Sequence, residues 1–131
     1  MKNLQITVTL LIIIFAVTTV AYAADDPGIQ GKLREGISSA MNEHIKQNSV
    51  DNRYVIYDAV AGELKRLEFD KLHKGIVKKG DYYVSCADFI DSEGNKYDID
   101  FLVGDTGKGP ITLESVVHSI NGKKRAYHVE D

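Results

Sequence analysis

The sequence predicts an α+β protein in which one N-terminal helix packs on a curled antiparallel sheet of about six strands. Three observations lead to this class. An apolar stripe with helical spacing runs from residue 29 to residue 47. From Arg53 onward apolar residues alternate with polar ones, as in half-buried strands. Turn signals recur between the alternating segments and indicate successive hairpins. Because the helix stripe needs an apolar partner, we expect it to cover one face of the sheet.

The first 23 residues have the pattern of a secretory signal peptide. Lys2 is the only charged side chain before Asp25, a long apolar segment follows it, and Ala21 and Ala23 occupy the small-residue positions of a cleavage site. We therefore predict export to the periplasm or exterior of a bacterium, with cleavage after Ala23. The alternative is an uncleaved membrane anchor, since about 20 apolar residues can span a bilayer. Contact with the membrane is expected through this segment alone.

The remaining residues, 24–131, are long enough for a single α+β domain. The whole chain has 16 basic and 19 acidic side chains, and cleavage removes Lys2, which leaves 15 against 19 and a net charge of −4. This acidic balance argues against nucleic acid as a partner. The chain has a single cysteine, Cys86, so an intrachain disulfide is excluded.

The first element of this domain is a helix. Asp26 followed by Pro27 is typical of a helix start, because the carboxylate caps the first turn and proline suits the first helical position. We predict that the helix ends at Asn48. Gly31 and Gly36 either weaken it or allow it to lie close against the sheet. The stripe consists of Ile29, Leu33, Ile37, Ala40, Met41, His44 and Ile45, with His44 at its edge.

A hairpin is predicted next. The alternating segments Arg53–Asp58 and 63–69 are expected to pair around Ala61-Gly62. The following residues, 70–80, are basic and contain glycine, so we predict a solvated connecting loop there. The inner face of the hairpin is predicted to carry Val55, Leu67 and Phe69.

Residues 80–104 are predicted to form a long hairpin around which the sheet is organised. Residues 91–94 fit a type I turn followed by glycine at a position with positive φ. This turn sets the register by placing Asp91 opposite Asn95. The core face then pairs Phe89 with Tyr97, Ala87 with Ile99, Ser85 with Phe101 and Tyr83 with Val103. The other face pairs Asp88 with Asp98, Cys86 with Asp100 and Val84 with Leu102.

The last predicted strands are residues 111–120 and 123–129. The first of them is apolar on both faces, which suits a strand well inside the sheet. Asn121-Gly122 is a strong hairpin signal and returns the chain, so that His118 is expected opposite Arg125.

One helix followed by an antiparallel meander resembles the cystatin-like group of folds. The segment YVIYDAVAGELKRL, residues 54–67, also resembles the strand–turn–strand of exported bacterial domains of the PepSY type. The resemblance implies a cystatin-like topology over most of the domain. The glutamine-valine-glycine inhibitory loop and the disulfides of true cystatins are absent, so protease inhibition is not implied.

The sheet face opposite the helix is the candidate functional site. On it, the predicted pairing places Asp88 directly opposite Asp98, and solvent, a cationic neighbour, a shared proton or a ligand must offset their repulsion. In one interpretation this face forms a ligand pocket. In the other it is the wet side of a one-sided antiparallel sheet. The candidate ligand-binding residues are Cys86, Asp88, Asp98, Asp100, Glu114, His118 and Arg125.

Catalysis is not expected at this face. Cys86 and His118 with an aspartate have the composition of a thiol hydrolase site, but Asp100 opposite the thiol disfavours the thiolate that a nucleophile requires. The sequence offers no oxyanion donors there. It also offers no nucleophile, base and orienting group at a suitable spacing. We therefore predict no catalytic residues.

A metal site stays open as an interpretation. Carboxylates alone favour a hard ion such as calcium, whereas cysteine with histidine favours zinc. His73 and His128 have no partner at ligand spacing and are expected at the surface. The sequence has no C-x-x-C, H-x-x-x-H or EF-hand pattern, so the metal and its ligands remain unassigned.

These observations predict a small exported binding or interaction domain without catalytic activity and without a cofactor. Its partner is expected to be a protein or a small ligand of the cell envelope. The alternative is an exported domain that binds a divalent metal through the acidic sheet face.

Overall fold

The computed structural model describes residues 24–127. Within them, one helix precedes seven strands that pair antiparallel in sequence order and form an open meander. The α+β class, with a helix on an antiparallel sheet, is confirmed. The signal-peptide prediction and those for His128 and residue 129 lie outside the described residues. The elements are α1 (Gly31–Gln47), β1 (Ser49–Val50), β2 (Arg53–Asp58), β3 (Glu63–Lys79), β4 (Tyr82–Ile90), β5 (Lys96–Asp105), β6 (Pro110–Ile120) and β7 (Lys123–Lys124).

The sheet has seven strands where about six were predicted. The additional strand is β1, in which Ser49 lies opposite Tyr54. It arises because Asp51 and Asn52 adopt φ values of 51° and 60°, the left-handed conformation that closes a tight hairpin. Within residues 24–127 no helix has the length and apolar character that crossing a membrane requires.

The core lies between α1 and one face of the sheet. The helix contributes its predicted stripe, in which Ile37 and Met41 are fully buried. Burial of a side chain such as Ile37 contributes about 1.5–3 kcal/mol. Gly36 brings its backbone close to Pro110 at the start of β6, which fits the predicted close approach of helix and sheet. The sheet contributes Tyr54, Leu67, Phe89, Ile99, Phe101, Val103 and Val117.

The predicted helix start is wrong by four residues. The Asp26 carboxylate accepts a hydrogen bond from the Gly28 amide at 2.8 Å and closes a turn instead of capping the helix. Gly31 adopts φ 58°, so regular helix cannot extend back through it, and Gln30 occupies the N-cap. The predicted end is confirmed. The backbone and side-chain amides of Asn48 both donate to the carbonyl of His44.

The central hairpin has the predicted register at every pair. The Asp91 carboxylate accepts hydrogen bonds from the amides of Glu93 and Asn95 at 2.9 Å each, and Gly94 has φ 83°. Asp88 lies opposite Asp98 as a result. The Asn121-Gly122 turn is confirmed as well, with φ values of 51° and 77°.

Residues 70–80 do not form the predicted loop. β3 continues as far as Lys79, and its part from Glu68 to Lys79 pairs with β4. Its register shifts between Phe69 and Lys71 and again between Leu72 and Ile76, as β-bulges do. The bulges interrupt the alternation of apolar and polar residues, which is why the segment does not look like a strand in the sequence.

The inner face of the first hairpin differs from the prediction. Asp58 pairs with Glu63, which closes the loop so that Tyr54 lies opposite Leu67. Leu67 is buried as predicted, but its partners on β2 are Tyr54 and Ile56 rather than Val55. The ring of Phe69 is 40% exposed, because the bulge after it turns the strand.

β6 is not well inside the sheet. It pairs with β5 on one side, and on the other side, among residues 24–127, with the two residues of β7. Ile111 and Leu113 are consequently 46% and 57% exposed. β7 ends at Lys124, earlier than predicted. Even so, the Arg125 amide donates to the His118 carbonyl at 2.7 Å, so these two backbones are neighbours as expected.

Candidate metal centre

The site is built on the face of β4 and β5 that points away from α1. The hairpin register places Cys86 opposite Asp100 and Asp88 opposite Asp98. Side chains two residues apart on a strand share a face, so these four groups form one patch. Cys86 and Asp100 are buried, with exposures of 2% and 1%, whereas Asp88 and Asp98 are half-buried.

The second bulge of β3 adds a histidine to this patch. Leu72 pairs with Ala87 and Ile76 pairs with Ser85. Three residues, 73–75, therefore lie opposite the single residue Cys86. His73 thereby turns onto the patch. Its Nδ1 lies 2.8 Å from Cys86 Sγ, and its Nε2 lies 2.7 Å from Asp88 Oδ1.

This bulge is held from the core side and from α1. Ser85 Oγ donates to the carbonyl of Gly75 at 2.7 Å. The Arg34 guanidinium donates both to the carbonyl of Lys74 and to the Asp25 carboxylate. The hydrogen bond from Arg34, and then one from the Ile76 amide, hold the pKa of Asp25 below its ordinary value. The bulge is therefore tied to the helix rather than being a mobile loop.

A second bulge, in β6, supplies His118. Val117 pairs with Ile99 and Ser119 with Asp98, so His118 is the extra residue between them. Its Nδ1 lies 3.1 Å from Asp100 Oδ2 and 4.0 Å from Asp98 Oδ2. The bulge thus directs a second imidazole at the two carboxylates of β5.

Three of these side chains form a potential metal-binding group. One ligand atom each from His73, Cys86 and Asp98 lies within 4.8 Å of the other two. A cavity of about 260 Å³ opens beside the group and is lined by Asp88, Asp98 and the side chain of Lys71. The cavity meets the group at Asp98, which is one of the three potential ligands.

Basic side chains offset the repulsion between the paired aspartates. His73 contacts Asp88 at 2.7 Å, and the Lys71 ammonium lies 3.8 Å from the same carboxylate. Asp98 has His118 as its basic neighbour at 4.0 Å. Of the possibilities that the sequence left open, basic neighbours are present: two imidazoles and a lysine.

Five of the seven candidate residues are brought together: Cys86, Asp88, Asp98, Asp100 and His118. Arg125 is not among them, because its guanidinium binds Asp58 at 2.8 Å. Glu114 is not among them either. It follows the β6 register shift near Leu113 and lines a separate groove with His44 and Tyr54.

The prediction that His73 is a surface residue is wrong, and sequence analysis missed it as a site residue. Its position within a presumed loop hid it. A signal was nevertheless present. If residues 70–79 are treated as a strand, continuing the ladder one step beyond Leu72 and Ala87 places His73 opposite Cys86.

The structure also contains a set that the sequence did not indicate. Cys86, His73 and Asp88 follow one another at 2.8 Å and 2.7 Å, in the order of a nucleophile, a base and an orienting carboxylate. The sequence argument that no such set exists is therefore wrong.

Comparison of the chain with protein-family models, with curated proteins and with solved structures finds no match. The site has to be interpreted from its own chemistry.

Proposed function

We propose that this chain is a small exported domain that binds a divalent transition metal, with zinc as the first choice, through His73, Cys86 and Asp98. The observation that carries the proposal is the convergence of these three ligand atoms within 4.8 Å. The three residues come from β3, β4 and β5. The register between β4 and β5 fixes the positions of Cys86 and Asp98, and the bulge of β3 fixes that of His73.

The ligand types favour zinc over calcium. A thiolate and an imidazole are typical zinc ligands, and a carboxylate completes sets of this kind. Calcium prefers oxygen atoms alone, and usually six to eight of them. Of the two ions left open by the sequence, the presence of His73 beside Cys86 supports zinc.

Asp88 acts as a positioning residue in this proposal. It accepts the hydrogen bond of His73 Nε2 at 2.7 Å, which leaves the lone pair of Nδ1 directed at the metal position. Carboxylates that support a ligating histidine in this way commonly raise metal affinity 10–100-fold. On the other side of the site, His118 Nδ1 contacts Asp100 at 3.1 Å and lies 4.0 Å from Asp98.

Three protein ligands leave one position of a tetrahedral zinc ion for water or a small ligand. The cavity of about 260 Å³ beside Asp98 provides room for such a group. Since thiol and imidazole must be deprotonated to bind the ion, binding releases protons and weakens at acidic pH.

A thiol hydrolase is the second candidate, because Cys86, His73 and Asp88 have the spacing of a catalytic triad. Two features make it the weaker one. Cys86 is only 2% exposed, so a substrate carbonyl has little access to its sulfur. The nearby Asp98 carboxylate also disfavours a thiolate unless a cation is present.

We place this domain in the bacterial periplasm or outside the cell, on the basis of the signal-peptide pattern of residues 1–23. A cystatin-like topology is the finer fold assignment that we propose, and the order of one helix before an antiparallel meander supports it. The relation to PepSY-type domains remains a proposal resting on residues 54–67.

Isothermal titration of the purified chain with zinc and with calcium tests the metal site. We expect zinc to bind at one equivalent and calcium not to bind. Cys86→Ser and Asp98→Asn should each weaken zinc binding at least tenfold, a scale typical of lost metal-site groups. The matched control is Asp81→Asn, which changes an exposed aspartate in the β3–β4 turn and should bind zinc like the wild type.

Absence of zinc binding, or unchanged binding in both site variants, would overturn the metal proposal. Ester hydrolysis that is insensitive to chelators but lost in Cys86→Ser would support the hydrolase instead. Circular dichroism of each variant establishes that it remains folded.

A further inference from the structure

A second concave region lies on the opposite side of the sheet from the metal centre. It is a groove of about 510 Å³ between the last turn of α1, strand β2 and strand β6. Sites for small molecules in proteins commonly have volumes of about 300–1,000 Å³. The groove residues that matter below are His44, Asn48, Tyr54, Tyr57, Glu114 and Tyr127.

Among the described residues that line this groove, Glu114 is the one acidic side chain. No lysine or arginine is among the described residues that line it. Burial lowers the pKa of His44, which keeps the imidazole neutral at neutral pH. Burial also raises the pKa of Tyr54 to about 12, so the phenol keeps its proton. The groove therefore carries a single negative charge.

The aromatic side chains that line the groove also favour a positively charged ligand. Three tyrosines, Tyr54, Tyr57 and Tyr127, border the groove. Tyr54 is 1% exposed and its ring stacks on Phe89, so the rings that a ligand can reach are those of Tyr57 and Tyr127. The face of a tyrosine ring attracts ammonium groups through its quadrupole. The phenol of Tyr54 is held in place, since its oxygen lies 2.8 Å from Ser115 Oγ.

The C-terminal end of α1 adds to the negative electrostatic potential of the groove. His44 belongs to the last turn of α1 and Asn48 is its C-cap, and both border the groove. The C-terminal end of a helix carries a partial negative charge and stabilises cations nearby. Carboxylate, tyrosine rings and helix terminus thus all favour a positively charged occupant.

We propose that this groove binds a small organic cation of the quaternary ammonium class, with its charge near Glu114 and its methyl groups against the rings of Tyr57 and Tyr127. A compact metal ion is a poor fit, because the residues lining the groove offer one carboxylate and otherwise mainly aromatic, apolar and neutral polar groups. The site is independent of the metal centre, which lies on the other face of the sheet.

Choline and its neutral isostere, in which a tert-butyl group replaces the trimethylammonium group, form a matched pair of probes. We expect choline to bind in titration calorimetry and to shift the NMR signals of the tyrosine rings. The neutral isostere should bind at least about tenfold more weakly, the scale of one charge-dependent contact.

The variants follow from the same geometry. Glu114→Gln keeps the shape of an exposed side chain and should weaken choline binding about tenfold. Tyr57→Leu should weaken it severalfold. Glu93→Gln changes a glutamate in the β4–β5 turn, away from the groove, and should leave choline binding unchanged. Cys86→Ser should also leave it unchanged, which separates this site from the metal centre.

Equal binding of choline and its isostere would overturn the proposal, as would unchanged choline binding in Glu114→Gln. Absence of choline binding at millimolar concentration would overturn it too. None of these results depends on whether zinc binds.

Discussion

At the scale of single residues, Asp58 is the most deeply buried charged side chain that has a cationic partner in the described region. Its carboxylate is fully buried and accepts hydrogen bonds from the amides of Val60 and Ala61 as well as from Arg125. The pair connects the end of β2 with the chain after β7. Arg125 is thus a structural residue in this protein and not part of the acidic face.

The Asp58–Arg125 pair leads to the first stability prediction. Arg125→Met removes the partner of a buried charge, so the free energy of unfolding should fall by about 3 kcal/mol. Urea denaturation measures the change, and Arg53→Met serves as an exposed control. A loss below about 1 kcal/mol, the range of a surface pair, would mean that water replaces the guanidinium.

One residue also decides the class of the site. His73 is the residue that brings an imidazole within ligand distance of both the Cys86 thiol and the Asp98 carboxylate. With His73 at 2.8 Å from Cys86 Sγ, the patch becomes a mixed nitrogen, sulfur and oxygen set. The functional interpretation therefore depends on where β3 places this imidazole.

At the scale of elements, the β3 bulge performs this placement. Three residues, 73–75, are inserted opposite Cys86, and contacts from Arg34 and Ser85 hold their carbonyl groups. Arg34 is a helix residue, so α1 supports the metal centre through the sheet without touching it.

Arg34 is therefore expected to act as a positioning residue. Arg34→Met should weaken zinc binding about tenfold while the protein stays folded, in line with the effect of lost supporting contacts at metal sites. Arg34→Lys keeps a charge for Asp25 but loses the planar fork, and should be intermediate. Lys32→Met is the control on an exposed face of the same helix. If Arg34→Met binds zinc as tightly as the wild type, the contact from Ser85 and the pairing of β3 with β4 hold the bulge without Arg34.

At the scale of the whole molecule, the sheet curls so far around α1 that β2 contacts β6, a strand with which it does not pair. Tyr54 of β2 meets Ser115 of β6 at 2.8 Å. The two candidate sites lie on different sides of this curled sheet. The face away from the helix carries the proposed metal centre, and the helix side carries the groove at Glu114.

Because the ligands of the metal centre come from β3, β4 and β5, metal binding should stabilise the whole fold. At a free zinc concentration of 100 times the dissociation constant, the free energy of unfolding should rise by about 2.7 kcal/mol. Thermal or urea denaturation with zinc and with chelator measures this rise. It should disappear in Cys86→Ser.

The pH dependence of this stabilisation has a defined sign. Imidazole and thiol bind zinc after losing their protons, so the rise should grow with pH and vanish below about pH 5. A rise that persists at acidic pH would indicate that carboxylates alone bind the ion.

The sequence by itself determined the features that local chemistry specifies. The turn at residues 91–94 set the register of nine pairs between β4 and β5, and so placed Asp88 opposite Asp98. The spacing of Ile37, Met41 and Ile45 determined the buried face of α1. Turn dihedral angles and helical periodicity depend on neighbouring residues, and they can therefore be recognised in the chain alone.

Only the tertiary structure decided the contents of the two sites. His73 and His118 reach the patch of the proposed metal centre through bulges, where extra residues of β3 and β6 lie opposite their partner strands. Glu114 follows a register shift in β6 and lines the groove, and Arg125 follows the end of β7 and binds Asp58. These positions depend on contacts between residues far apart in the chain, which no local pattern in the sequence records.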